Sequence, residues 1–202
     1  MKLYYAPGAC SLAPHIIARE AGIELTLEKV DLGSKKTASG KDYLAINPKG
    51  YVPALEFAQG QVLTEGPAIQ QYLADQKPGS GLAPPNGTIE RYRLQEMLTY
   101  INSEIHKSFG PLFNPKVLPE VREERLAYLR KRFDYLDKHL AGKSFLIGDR
   151  FTVADAYLFV MVGWASHVGL DLAALANIVA FHKCVAARPA VQAAMKAEGL
   201  IK

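Results

Sequence analysis

The sequence predicts two parts of different class, a small α/β sheet domain followed by an all-helical one. Three observations predict it. Up to residue 76, short strand-like runs alternate with helical stretches. Residues 76 to 88, "QKPGSGLAPPNGT", gather Pro, Gly, Ser and Asn and mark a linker. After residue 88 apolar side chains recur at three- and four-residue spacings, the helical period.

The elements follow in order. "KLYYA" opens as a short strand, and residues 11 to 21 have helical character. "LTLEKVDL" (25 to 32) is a strand with Leu25, Leu27 and Val30 among polar neighbours. "VPALEF" (52 to 57) and "QVLT" (61 to 64) are two more strands separated by a turn at Gln59 and Gly60, and "PAIQQYLADQ" (67 to 76) closes the half as a helix. This β-α-β then β-β-α order fits a small sheet domain. Beyond the linker, helices are expected over residues 88 to 108, 119 to 141, 153 to 168 and 174 to 197, punctuated by Pro115, Pro119 and Pro189.

Composition narrows the function classes. Of the 202 residues 49% are hydrophobic and 22% charged, which describes an ordinary folded domain rather than a disordered chain. The net charge of +4 is mild, and the basic residues are interleaved with acids, as in Arg122-Glu123-Glu124-Arg125. That pattern is a solvated helix face, so no nucleic-acid partner is expected. Pro7 and Gly8 interrupt the N-terminus too early for a signal peptide, and "AYLFVMVGWA" (156 to 165) is too short to span a bilayer. No membrane association is expected. Two cysteines without a secretory signal make the cytoplasm the expected compartment.

Cys10 sits in the turn between the first strand and the first helix, where unpaired N–H groups and the helix dipole favour a thiolate. A reactive or ligand-contacting thiol is the reading. Cys184, inside the helical run "AFHKCVAAR", reads as core packing. The residues after Cys10 are Ser11, Leu12 and Ala13, so the resolving sulfur of a Cys-x-x-Cys pair is missing. Disulfide exchange within one site is disfavoured, while a mixed disulfide with a small thiol remains open.

A second constellation is "NPKGYVPALEF" (47 to 57) followed by "LTEGPAIQQYLA" (63 to 74). Pro53 stands at a strand start, and a cis bond before it would turn the backbone outward and expose the Val52 N–H and C=O to an extended peptide. Gly66 and Pro67 read as N-cap and first position of a helix whose N-terminus suits a carboxylate, and Glu65 suits an amino group. Together these features suit a short zwitterionic peptide. The five histidines show no metal-ligand spacing, and neither a GxGxxG nor a P-loop is present, so no metal and no nucleotide cofactor are predicted. In "GDRFTVADAYLF", Thr152 is an N-cap and Asp155 its N3 partner, a capping box rather than a catalytic acid.

The stretches "APGACSLAPHI", "NPKGYVPAL", "LTEGPAIQQYLAD", "EIHKSF" and "GDRFTVADAYLF" resemble the bacterial beta-class glutathione S-transferases, in order and over essentially the whole chain. The resemblance implies an N-terminal thioredoxin-like glutathione-binding domain (1–79), a linker (80–87) and a C-terminal helical-bundle domain (88–202) lining the second-substrate site, in a homodimer. It implies catalytic roles for Cys10 and His106. It implies glutathione contacts from Cys10, Lys35, Tyr51, Val52, Pro53, Glu65, Gly66, Thr99, Ser103 and His106. Two positions depart from the wider pattern: Gly66 stands where Ser is usual, and Thr99 where relatives can carry Asn. Lys107, near a helix C-terminus, reads as a dipole partner.

The activity implied is conjugation of the glutathione thiolate to small hydrophobic electrophiles. Glutathione serves as co-substrate and no further cofactor is needed. Phe109, Phe113 and Trp164 are candidates for the electrophile pocket and equally good core residues. Two alternatives stay open from sequence. One is a glutathione-dependent redox enzyme (thiol transfer, peroxide reduction or reductive dechlorination through a Cys10 mixed disulfide), and the other a non-catalytic ligand carrier.

Overall fold

A computed structural model describes residues 1–202, the side chain of Gln59 excepted. The chain divides into two compact units, Met1–Ala83 with Ala187–Lys202, and Pro84–Ala186.

In the first unit, β1 (Lys2–Tyr5) pairs in parallel with β2 (Thr26–Asp31) and antiparallel with β4 (Ala54–Glu56). At the two edges β3 (Lys36–Thr37) joins β2 and β5 (Val62–Thr64) joins β4, giving the order β3-β2-β1-β4-β5. The β-α-β then β-β-α order expected from sequence is present, with β3 added between its two parts. Period-two alternation sends Tyr4, Val30 and Ala54 to one face, where they form a core with Ala6, Tyr43 and Val52. Leu3 and Leu55, register partners, point the other way and are fully buried. Helix α1 (Leu12–Glu20) buries Leu12, Ala13, Ile16 and Ile17, and α2 (Gly66–Asp75) buries Ile69 and Leu73. The C-terminal helix of the chain, Pro189–Ala197, packs against α1 within this unit, although sequence reading grouped it with the helical half. Helical period says which face is apolar, not which neighbour covers it.

The second unit contains α3 (Ile89–Tyr100), a π-helical turn (Ile101–His106), α4 (Lys107–Phe109), α5 (Pro119–His139), α6 (Val153–Ala165) and α7 (Ala176–Ala186); the C-terminal helix of the first unit is α8. The single helix expected over 88 to 108 is interrupted by the π turn. Just before it, hydroxyls load the carbonyls of α3, with Thr99 donating to Gln95 O at 2.8 Å and Ser103 to Thr99 O at 2.9 Å. Residues Val153 to Met161 of α6 are all buried, so it is a core helix, and no helix among the described residues is long and apolar enough to cross a membrane. Asp155, fully buried, completes the expected capping box with Thr152 and also binds the Leu146 N–H at 2.8 Å.

The reading of Cys184 as a core residue is corrected, since its side chain is exposed. The buried stripe of α7 runs through Ile178, Phe181 and Val185, leaving Cys184 outside it. His182 on the same helix stacks on Phe159 at 4.6 Å, and burial holds its pKa below the usual imidazole value. The unfolded chain therefore binds a proton more readily than the folded one, and stability falls as pH drops below about 6.5. Thermal melts should show a smaller loss between pH 7.5 and 5.5 in His182→Phe than in the parent, and equal losses would refute this assignment.

Candidate functional site

The predicted site residues fall in both units, and each unit holds its own set. In the first, β1 delivers the chain into a turn (Ala9 N–H to Ala6 O, 3.0 Å) that ends at Cys10, one residue before the α1 N-cap, Ser11. Ser11 Oγ is buried and lies 3.2 Å from both the N and the O of Ala6, fixing the loop across its base. The Cys10 thiol donates to the Val52 carbonyl at 3.1 Å, and the Val52-Pro53 bond is cis. The neighbouring Tyr51 carbonyl accepts from the Tyr43 hydroxyl at 2.7 Å and the Asn47 amide at 2.8 Å, while the Tyr51 ring is exposed. Burial, with a lesser push from Cys10, raises the Tyr43 pKa above its ordinary value, so its hydroxyl stays a donor.

The structure brings Lys35 to the same segment, with Nζ donating to Gly50 O at 2.9 Å. Among the described residues, Lys35 (φ +56°) and Glu65 (φ +73°) are the two other than glycine with positive φ. Each such conformation costs roughly 1 kcal/mol or more and persists where surrounding structure imposes it, commonly at functional positions. Glu65 is the N-cap residue of α2, so the helix begins at Gly66, one residue earlier than expected. Its carboxylate meets Lys49 Nζ at 2.7 Å in an exposed pair, a contact of small energy that leaves the oxygens accessible. A Cβ built on Gly66 would stand 3.8 Å from Nε2 of the fully buried Gln70, so an amide from the next turn borders the position where Ser is usual.

In the second unit, Thr99 and Ser103 are exposed, with their hydroxyls turned back to the helix carbonyls. His106 is half-buried at the end of the π turn and Lys107 is exposed. The His106 Nδ1 lies 2.5 Å from the Tyr157 hydroxyl, which donates to Asn102 Oδ1 at 3.0 Å. Trp164 packs edge-on against His106 (5.0 Å) and Phe113 (5.1 Å). Of the three aromatic candidates, Phe109 is fully buried and serves the core, whereas Phe113 is 48% exposed and Trp164 partly so.

Comparison with known proteins decides the family. Residues 8–76 match the model of the glutathione S-transferase N-terminal domain and residues 119–197 that of the C-terminal domain. The chain belongs to the glutathione S-transferase family. It is 50% identical to glutathione S-transferase GstA of Escherichia coli O157:H7 over 200 residues, covering 99% of this chain and all of that protein. Among solved structures, a ternary complex of BphK, a bacterial GST, superposes with a TM-score of 0.97 at 54% identity over 98% of this chain and all of that one. A sphingomonad glutathione S-transferase complexed with glutathione gives 0.96 at 50% identity over the whole of both chains. The protein is thus a glutathione transferase, with the thioredoxin-like and helical parts expected from sequence.

Sequence reading missed several residues that shape the transferase's candidate site. Asn102 and Tyr157 hold His106, and Tyr157 was visible only as part of an apolar run. Glu198, 190 residues from Gly8, accepts the Gly8 N–H at 3.0 Å through a fully buried carboxylate that also bonds His15 Nδ1 at 2.9 Å. A single acid near the chain end carried no signal of that contact.

Proposed function

We propose that glutathione lies along the Tyr51-Val52-Pro53 backbone. Lys35 meets its glycine carboxylate, Glu65 and the Gly66 N–H hold the γ-glutamyl end, Cys10 faces the sulfur, and Thr99 and Ser103 contribute hydroxyls. The contact that carries the reading is Cys10 Sγ to Val52 O, because it sets a thiol on the carbonyl an extended peptide would pair with. That carbonyl has two lone pairs and accepts from a peptide N–H as well as from the thiol. The two positive-φ residues, Lys35 and Glu65, support the same reading, since both fall on predicted ligand contacts.

His106 takes the proton of the glutathione thiol, and the thiolate adds to a small hydrophobic electrophile held against Phe113 and Trp164. The rate gain comes from ionising the nucleophile and orienting it. The work is detoxifying conjugation in the cytoplasm by a homodimer. Exposed Ile89 and Tyr92 on one side of α3 support self-association, and sedimentation should give twice the 22.1 kDa chain mass.

Glutathione binding by calorimetry tests the peptide's placement. Glu65→Ala should remove a charge-assisted hydrogen bond and weaken binding about 10- to 150-fold, equivalent to roughly 1.5 to 3 kcal/mol. Unchanged affinity would put the γ-glutamyl end elsewhere.

A further inference from the structure

The π turn widens the helix so that Asn102 and His106, four residues apart, both reach the hydroxyl of Tyr157 on α6. A phenol carries one proton. With that proton donated to Asn102 Oδ1 at 3.0 Å, the hydrogen in the 2.5 Å contact between Tyr157 and His106 belongs to the imidazole Nδ1. Tyr157 is 1% exposed, so water does not compete for its hydroxyl. Edge-on packing of Trp164 at 5.0 Å and of Tyr157 at 5.7 Å fixes the plane of the His106 ring.

We propose that Tyr157, oriented by Asn102, is a positioning residue for His106: it holds the neutral imidazole as the Nδ1–H tautomer and makes Nε2 the ring's basic nitrogen. The proposal rests on the reading of His106 as the acceptor of the thiol proton. In that step the S–H bond breaks, sulfur keeps the electron pair as thiolate, and the proton bonds to Nε2. The resulting imidazolium still donates through Nδ1 to the same phenol oxygen, so no hydrogen bond is remade as charge develops. The opposite tautomer would present Nε2–H, a donor, and the ring could not act as base.

Two-bond ¹H–¹⁵N spectra of histidine-labelled protein, with the His106 signals assigned through His106→Gln, read the tautomer directly. Above the ring's titration the parent should show a protonated Nδ1 and a bare Nε2. Tyr157→Phe should move the ring towards the Nε2–H form. Asn102→Leu, at a less buried position, should do the same by releasing the phenol proton to Nδ1, and it serves if Tyr157→Phe folds poorly. Each should lower kcat/KM for conjugation about tenfold in the parent and less than about twofold in His106→Gln, since the effect runs through that ring. An Nε2–H ring in the parent, or an unmoved tautomer in both variants, would overturn the proposal. Equal losses with and without His106 would do so too, because they mark a structural effect. Full activity in His106→Gln would instead refute the acceptor reading, and the catalytic part of the proposal with it, whatever the tautomer.

Discussion

Asp155→Ala should lower the unfolding free energy of the second unit by roughly 3 to 5 kcal/mol, the largest loss expected from a single change there. The carboxylate is fully buried and accepts three hydrogen bonds, from Leu146 N–H at 2.8 Å, Thr152 N–H at 2.8 Å and Thr152 Oγ at 2.9 Å. Truncation leaves those donors facing a space that water fills poorly, at roughly 1 to 3 kcal/mol for each that stays unpaired. Thr152→Ala removes only the hydroxyl and should cost about 1 kcal/mol. The ratio of the two losses in urea unfolding reports whether Asp155 acts as a cap alone or also as the anchor of the loop through Leu146. Equal losses would reduce it to a cap. Conjugation activity per folded molecule should stay near normal in both variants, because neither residue is among the proposed glutathione contacts.

Local chemistry explains what was legible in the sequence. The short strand at "KLYYA", the glycine and proline around residue 66, and the Thr152/Asp155 spacing are all read from neighbours within a few positions, and each reappears in the structure. The Cys10 turn was legible for the same reason, since a residue just before a helix is marked by the helix itself. Long-range partners were not. Lys49 on Glu65, Tyr157 on His106 and Glu198 on Gly8 join residues 16, 51 and 190 positions apart, and no local rule couples them. The π turn was hidden because its residues fit the ordinary helical period equally well. Two-residue β3 lies below the length at which alternation can be seen. Cys184 was misplaced because an apolar neighbourhood in sequence spans both the buried and the exposed side of a helix.

Glu198→Ala should strike stability and glutathione binding together, because its carboxylate ties the C-terminal segment to the loop that carries Cys10. Oε2 accepts the Gly8 N–H at 3.0 Å, two residues before the thiol, and Oε1 meets His15 Nδ1 at 2.9 Å. Arg19 Nε donates to His15 Nε2 at 3.3 Å, and an arginine has only hydrogens to give, so the His15 hydrogen sits on Nδ1 and points at Glu198. Both side chains of the pair are almost wholly buried, at 2% and 0% exposure. Removing the acid strands two buried neutral donors, Gly8 N–H and His15 Nδ1–H, at roughly 1 to 3 kcal/mol for each that stays unpaired. Gly8 sits at φ +69° with Leu200 beside it, so the turn is held from outside by the same terminal segment. Once that hold is lost, Cys10 and the backbone it contacts are no longer fixed for a peptide ligand. Glu198→Gln keeps one acceptor and sets an amide N–H against the other donor, so its loss should be smaller, about 1 to 2 kcal/mol. Urea unfolding reads the stability change. Alkylation of Cys10 by iodoacetamide in a Cys184→Ser background reads the loop, since Cys184 is exposed and would otherwise label. Glutathione should protect Cys10 strongly in the parent, less in Glu198→Gln and least in Glu198→Ala. Equal protection in all three, in protein that remains folded, would show that the terminal carboxylate stabilises the unit without shaping its ligand site.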